Sequence, residues 1–313
     1  MTIQTILGKL LFVLILGTGA VVAAAQDCST PAKVSEVAPG AFVRQGVQAP
    51  VFQAADVANI GFILGQRCVA VFDTGGSLKE GRDLRCAIKQ LTSLPVCYIV
   101  MSHMHPDHIL GAAALRDADT VVIGHANLPR AITMVGDYYL TRLEEFTGQR
   151  MAATDLLVPD RTVEVGQPLH LDLGQRPITL RAHATAHTNN DLSLYDENTQ
   201  TLWAGDLVFL GHLPVVDGSS QGWLQVLQEL GALPAQRLVP GHGPVRQDWP
   251  QASAPTRQYL ERVRHELRTW IDQGNDMLSA QDAIAQSERE HWLLFDEYHK
   301  RNISKIFAEL EWE

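Results

Sequence analysis

Residues 102–108, with the sequence SHMHPDH, constrain the fold of this chain most. They place three histidines and one aspartate within six positions, directly after an apolar run (VCYIVM) that predicts a buried strand. His103 and His105 are two residues apart, so they cannot share one face of a helix, where metal-binding pairs are four residues apart. On an extended loop alternate side chains point the same way, so this pair can address one metal ion while Asp107 and His108 address a second.

Three further residues of the same chemical types lie at predicted strand ends or in glycine-flanked turns: His187, Asp206 and His242. Each alone is weak evidence, because a single histidine or Gly-Asp pair is most often a turn or surface feature. Their order and settings together are far more specific. The sequence therefore predicts seven metal ligands, all of which suit zinc.

Strands and helices alternate in two strand-rich halves, each ending in helices. This pattern predicts two sheets packed face to face and covered by helices, an α/β four-layer αββα sandwich. We expect a catalytic domain at 26–249 and a helical extension at 250–313 packed on the same domain. A polar, tyrosine-bearing segment at 126–149 is interpreted as a helical rim or lid over the site. Strands are predicted at 60–64, 68–72, 96–101, 120–123, 169–173, 178–182, 192–195, 202–204 and 237–239.

The first 25 residues have the parts of a secretory signal: Lys9, an apolar run at 10–16 and small residues at 23–25. An uncleaved anchor is the alternative. The sequence has no second apolar run of that length, so we expect no stable membrane span after signal removal. Loss of Lys9, the one charged residue of the segment, changes the formal net charge from -10 to -11. Such acidity disfavours nucleic acid as a partner. The predicted location is the periplasm.

Four cysteines follow the predicted signal: Cys28, Cys68, Cys86 and Cys97. In an oxidising compartment an even number permits two disulfides. Cys68 and Cys97 each open a predicted strand, and these strands should be neighbours, so we predict this pair. Buried free thiols are the alternative interpretation.

The motif order H-x-H-x-D-H, then His, Asp and His, resembles that of the metallo-β-lactamase superfamily. All seven positions match. The resemblance implies two zinc ions per chain, with Asp206 as the bridge. It assigns His103, His105 and His187 to the first zinc, and Asp107, His108 and His242 to the second.

The same resemblance implies roles for two carboxylates. Asp107, beyond ligation, would hydrogen-bond the hydroxide that attacks the substrate, and is the predicted catalytic residue. Asp73, which closes the strand in Phe72-Asp73-Thr74, resembles the carboxylate that orients a ligand histidine. The implied reaction is hydrolysis of an ester, thioester, lactone or amide in a small-molecule substrate.

Three stretches resemble a narrower group, the exported quinoprotein relay system zinc metallohydrolases: 59–63, 211–218 and 309–313. This resemblance implies an accessory role in the periplasm, linked to a PQQ-dependent dehydrogenase. Three alternatives stay open: a persulfide oxidoreductase with one iron, a β-lactamase, and a zinc-holding protein without activity. Asp206 disfavours the β-lactamases that place cysteine at this position.

Several polar residues follow strands that should end near the site. His125, Tyr138 and His212 are predicted substrate contacts, and Tyr139 and Arg130 are further candidates. His183 is interpreted as a structural histidine. These candidates rest on position along the chain alone.

Overall fold

Two β-sheets form the centre of the chain in a computed structural model that describes residues 28–49 and 56–313. The predicted signal at 1–25 lies outside the described residues. The first sheet has seven strands in chain order. Its first four strands pair antiparallel and the later ones parallel. They are β1 (Ser35–Ala38), β2 (Ala41–Arg44), β3 (Ile60–Leu64), β4 (Val69–Phe72), β5 (Val96–Val100), β6 (Val121–His125) and β7 (Arg161–Val163).

The second sheet has five strands in the order β12-β11-β10-β9-β8. Neighbours pair antiparallel except β11 and β12, which run parallel. The strands are β8 (Leu169–Asp172), β9 (Pro177–Ala182), β10 (Leu192–Asp196), β11 (Thr201–Phe209) and β12 (Arg237–His242).

Helices cover the outer face of each sheet. Those of the first half are α1 (Leu78–Leu91), α2 (Pro106–Ile109), α3 (Ala112–Leu115) and α4 (Leu128–Thr147). Those of the second half are α5 (Ser220–Gly231), α6 (Ala254–Asp272), α7 (Met277–Ala283) and α8 (Phe295–Leu310).

Three apolar clusters show how these layers pack. One lies between the sheets, where the rings of Phe72 and Trp203 have centroids 5.8 Å apart. A second joins the first sheet to α1 and α4, and a third joins the second sheet to α5, α6 and α8. The predicted α/β four-layer sandwich is therefore confirmed. The C-terminal helices share the third cluster with the second sheet, while the domain boundary at residue 249 stays a prediction.

The strands deliver the predicted ligands to one edge of the sandwich. β5 ends directly before the loop that carries His103, and β12 ends at His242. The position of Asp206 differs from the prediction. The strand predicted at 202–204 continues to Phe209, so Asp206 lies inside β11 and not at its end. All nine residues of β11 are buried, and register irregularities around Gly205 let the strand continue past its polar residue.

Disulfides join the cysteines in two pairs. Cys68 and Cys97 are bonded with Cα atoms 5.7 Å apart, so the predicted pair is confirmed. Cys28 and Cys86 form the second bond, with Cα atoms 5.4 Å apart, and the free-thiol alternative is wrong. Among the helices of residues 28–49 and 56–313, none has the length and apolarity needed to cross a membrane.

Candidate metal centre

The structure brings all seven predicted ligands together in two groups, within each of which the potential ligand atoms lie no more than 4.8 Å apart. We call them the first cluster and the second cluster. The members come from the loop after β5, the short helix α2 that follows it, a loop after β9, and strands β11 and β12, so the sandwich itself determines their convergence. The first cluster contains His103, His105, His187 and Asp206, and the second contains Asp107, His108 and His242.

In the first cluster three imidazole nitrogens face one another. His187 Nε2 lies 3.3 Å from His103 Nε2 and 3.1 Å from His105 Nδ1. Burial lowers the pKa of His187 to about 4 and also lowers the pKa of His103. Neutral imidazoles present lone pairs, and this is the protonation state that a metal ion requires.

Asp206 joins the two clusters through its two carboxylate oxygens. Oδ2 lies 3.5 Å from His187 Nε2, on the side of the first cluster. Oδ1 lies 3.1 Å from His108 Nε2 and 3.3 Å from His242 Nε2, on the side of the second. A carboxylate in this position can bind one cation with each oxygen.

Two buried atoms of this centre, His108 Nε2 and Asp206 Oδ1, lie 3.1 Å apart without forming a hydrogen bond, and neither has another hydrogen-bond partner among the described residues. An unpaired buried polar atom costs on the order of 1–3 kcal/mol. A cation bound between them would satisfy both atoms. The donor set of imidazoles and carboxylates is also the set that suits zinc, so the residues fit a metal centre.

The opposite ring nitrogen of every histidine in the two clusters has a partner of its own. Such partners fix the tautomer and the ring orientation of metal-binding histidines. Asp73, predicted from the resemblance to orient a histidine, does contact His108. The pairs are His103 Nδ1 with Ser102 Oγ (2.9 Å), His105 Nε2 with Asp217 Oδ2 (2.7 Å), His108 Nδ1 with Asp73 Oδ2 (2.7 Å), His187 Nδ1 with the Val215 carbonyl (2.6 Å) and His242 Nδ1 with the Val57 carbonyl (3.0 Å).

Asp217 is a member of the site that sequence reasoning missed. It lies in the stretch 211–218 that carries the narrower family resemblance, but no role followed from that stretch. Its partner His105 is 112 positions away in the chain, so no local pattern could reveal the contact. Its pKa is depressed: burial raises it, but the hydrogen bond and charge of His105, followed by the charge of Arg301, lower it more.

Gly241 keeps space open beside the bridging carboxylate. A Cβ atom at this position would lie 1.9 Å from Asp206 Oδ1 and 2.7 Å from the carbonyl carbon of Gly205. Real Cβ atoms essentially never approach so closely. Glycine at position 241 is thus a steric requirement of the centre.

A cavity of about 870 Å³ opens onto the clusters. Helix α4, interpreted from the sequence as a rim or lid, forms one wall, and α8 forms another. Asp107 and His242 lie in its lining. The other lining residues are largely apolar or aromatic and include Met104, Leu110, Val135, Tyr138, Tyr139, Leu143, Phe209, Leu213 and Tyr298.

The predicted substrate contacts divide between the cavity and the core. Tyr138, Tyr139 and His212 line the cavity. His212 is buried, its Nε2 has no hydrogen-bond partner among the described residues, and burial, followed by the charge of His242, lowers its pKa to about 4. Arg130 is exposed on α4 and lies outside the lining.

The prediction for His125 is not supported. Its ring is buried, with Nε2 bonded to the His183 carbonyl (3.1 Å) and Nδ1 accepting from the Asn127 amide (2.9 Å). Both ring nitrogens of His125, the last residue of β6, therefore have partners, and the ring does not line the cavity. His183 is buried too, with Nε2 2.7 Å from Ser193 Oγ, in keeping with the structural role expected for it.

Comparison with known proteins identifies the family and agrees with the fold. The sequence model of the Metallo-beta-lactamase superfamily matches residues 54–242. This match spans more than half of the chain, which therefore belongs to the metallo-β-lactamase superfamily. No curated protein matches the chain in sequence.

Solved structures share the fold at low sequence identity. A metallo-beta-lactamase from Pontibacter korlensis is 18% identical with a TM-score of 0.59, over 73% of this chain and 98% of that one. FIM-1 from Pseudomonas aeruginosa, in its mono-zinc form, is 16% identical with a TM-score of 0.59, over 76% and 99%. The stereoselective inverting sec-alkylsulfatase Pisa1 from Pseudomonas sp. is 15% identical with a TM-score of 0.70, over 89% of this chain and 50% of that one. The superfamily and the two clusters together support a metal-dependent hydrolase in general terms.

Proposed function

We propose that this protein is an exported dinuclear zinc hydrolase that cleaves an ester, thioester, lactone or amide bond in a small molecule. One observation carries the proposal: the two oxygens of Asp206 face two different groups of histidines, 3.5 Å from His187 and 3.1 Å from His108. A single metal ion would leave one of these groups without a cation. Zinc in such a site supplies Lewis acidity and makes water a usable nucleophile at neutral pH.

We assign proton transfer from the attacking water to Asp107. Its Oδ2 lies 3.5 Å from His242 Nε2 and 3.6 Å from His108 Nε2, so it belongs to the second cluster. Its side chain is 17% exposed and lines the cavity, so the same carboxylate also faces the space for substrate. Asp107 thus acts as the general base.

The cavity supports a substrate with an apolar body. Most of its lining residues are aliphatic or aromatic, and the charged lining residues of the two wall helices are Arg142 of α4 and Glu297 and Arg301 of α8. Binding of an apolar group along α4 and α8 would leave the scissile bond beside Asp107. A hydrophobic ester or lactone fits this arrangement better than a highly charged substrate.

Export to the periplasm is part of the proposal. Two disulfides among the described residues are typical of proteins from oxidising compartments, and the segment at 1–25 has the composition of a secretory signal. The link to a PQQ-dependent dehydrogenase rests on the sequence resemblance of three short stretches. Deletion of the gene should slow growth on an alcohol oxidised by such a dehydrogenase.

Metal content and hydrolysis test the proposal together. Protein purified after export should contain about two zinc ions per chain and turn over members of an ester, thioester, lactone and β-lactam panel. In Asp107→Asn, kcat/KM should fall by about 10²–10⁴-fold, the usual contribution of a general base. Asp137→Asn, an exposed change on α4, is the matched control and should leave kcat/KM unchanged.

Two results would contradict the proposal. One iron per chain, with oxygen consumed in the presence of a persulfide, would favour the sulfur oxidoreductase. Equal behaviour of the wild type and Asp107→Asn across the whole panel would favour a zinc-holding protein without activity.

A further inference from the structure

Two adjacent side chains of the C-terminal helix α8 contact one short segment, residues 214–217. Asn302 is fully buried; its Nδ2 donates to the Pro214 carbonyl (2.7 Å) and its Oδ1 accepts from the Val216 amide (2.9 Å). Arg301, one position earlier, pairs through Nη2 with Asp217 Oδ1. The helix therefore holds both ends of the segment.

The same segment contacts two histidines of the first cluster. The Val215 carbonyl accepts a hydrogen bond from His187 Nδ1 (2.6 Å), and Asp217 Oδ2 lies 2.7 Å from His105 Nε2. The Asp217 amide also donates to the His187 carbonyl, at 2.9 Å. Segment 214–217 thus determines where two of the three imidazoles of the first cluster point.

We propose that α8 is a positioning element for the metal ion of the first cluster, with Arg301 and Asn302 acting through segment 214–217. The inference rests on the proposed function in one respect, that the centre binds metal. Helix α8 lies beyond residues 54–242, the part of the chain that matches the superfamily model.

Charge explains why Arg301 matters. Asp217 is largely buried, with its side chain 15% exposed, and it contacts His105 with one oxygen and the Arg301 guanidinium with the other. With Arg301 in place, one oxygen of Asp217 is occupied and the other is left for His105. Without it, the carboxylate would be free to rotate and to draw the His105 ring away from its partners.

The second cluster provides an internal control. His108 is held by Asp73, and His242 by the Val57 carbonyl, and neither contact involves segment 214–217. Disturbing α8 should therefore weaken one of two metal sites and spare the other. A residue with a general role in stability would affect both sites together.

The test measures zinc affinity at each of the two sites by competition with a chromophoric chelator. Arg301→Gln should weaken one site on the order of ten-fold, the lower end of the effect of removing a partner of a metal-bound histidine, and leave the other unchanged. Arg301→Lys should recover part of the loss. Lys300→Gln is the matched control, because it removes the same charge from the next position on α8, where Lys300 pairs with Asp282 instead.

Thermal unfolding of each variant separates misfolding from a change at the site. Asn302→Asp is a second variant that disturbs the contacts between α8 and segment 214–217. Equal zinc affinities in Arg301→Gln and wild type, or an equal loss at both sites, would overturn the proposal. A higher KM with zinc affinity unchanged would also overturn it, since Arg301 would then act on substrate directly. A wild type that binds two zinc ions without hydrolysing anything would refute the proposed hydrolase alone, whereas one that binds no zinc would refute both.

Discussion

His108 donates a hydrogen bond from Nδ1 to Asp73 Oδ2 across 2.7 Å, and both side chains are fully buried. The other oxygen of Asp73 accepts from the Ser102 amide at 2.8 Å, at the start of the loop that carries the ligands. One carboxylate thereby fixes both the His108 ring and the backbone that leads to it. This contact directs His108 Nε2 towards Asp206.

The first prediction concerns this contact. Asp73→Asn should lower zinc affinity at the second cluster by about 10–100-fold, because the amide cannot stabilise His108 as the carboxylate does. Asp73 has a φ of 56°, and asparagine is among the residues that tolerate this left-handed region, so the change does not add backbone strain. Chelator competition measures the loss. Asp119→Asn, an exposed loop change, is the control, and equal affinities in the two variants would contradict the prediction.

The second prediction tests the space beside the bridging carboxylate. Gly241→Ala should bind zinc weakly and lose about 1–3 kcal/mol of unfolding free energy, because the new methyl group would overlap Asp206. Gly231→Ala is the control: its Cβ would lie 3.7 Å from Pro250 Cβ, and it sits at the end of helix α5. Alanine there should be neutral or slightly stabilising. Zinc content by elemental analysis and urea unfolding measure both effects, and normal zinc content in Gly241→Ala would count against a steric role.

The sequence predicted the ligands better than it predicted their surroundings. His103, His105 and His108 follow a strand whose buried apolar character is plain, so their position at a sheet edge could be inferred. Strand β11 was harder, because Gly205 and Asp206 resemble the end of a strand, and only pairing with the parallel strand β12 carries the chain past them.

Side-chain direction is what the sequence could not supply. His125 ends a strand near the site, yet its ring turns to the Asn127 amide and the His183 carbonyl. Asp217 is the opposite case. No local sequence pattern identifies it, and its role depends on contacts with two residues far away in the chain, His105 and Arg301. Contacts between residues this far apart depend on how the sheets and helices pack.

The third prediction concerns the disulfides. Exported protein unfolded in guanidinium should show no free thiols among Cys28, Cys68, Cys86 and Cys97, whereas protein kept in a reducing cytoplasm should show all of them. The Cys28–Cys86 bond closes the longer loop, with a separation of 58 residues against 29. Chain entropy then gives upper estimates of about 4 and about 3.5 kcal/mol for the two bonds. Guanidinium unfolding of two double serine variants, one for each bond, tests this order of stabilisation. Free thiols in the exported protein would contradict the presence of the two disulfides.

The last prediction concerns Glu309, which ties α8 to the first turn of α5. Its carboxylate accepts hydrogen bonds from Ser219 Oγ (2.6 Å), the Ser220 amide (2.9 Å) and the Gln221 amide (3.2 Å). Burial raises the pKa of Glu309, but the hydrogen bonds from Ser219 and Ser220 lower it more, so the folded pKa lies below the usual 4.5. The carboxylate therefore stabilises the fold fully above pH 4.5, and this contribution is lost as the pH falls through the folded pKa.

Glu309→Gln should lower the unfolding free energy at pH 7 by about 1.5–3 kcal/mol, the usual value for hydrogen bonds to a charged group. The gap between wild type and variant should shrink as the pH is lowered from 4.5 through the folded pKa, because Glu309 then takes up a proton and becomes uncharged like glutamine. Urea unfolding at several pH values gives the gap directly, and the effect of zinc release at low pH cancels because it is common to both proteins. Glu311→Gln, an exposed change on the same helix end, should show no such dependence. A gap that stays constant down to low pH would mean that Glu309 contributes through its shape and not through its charge.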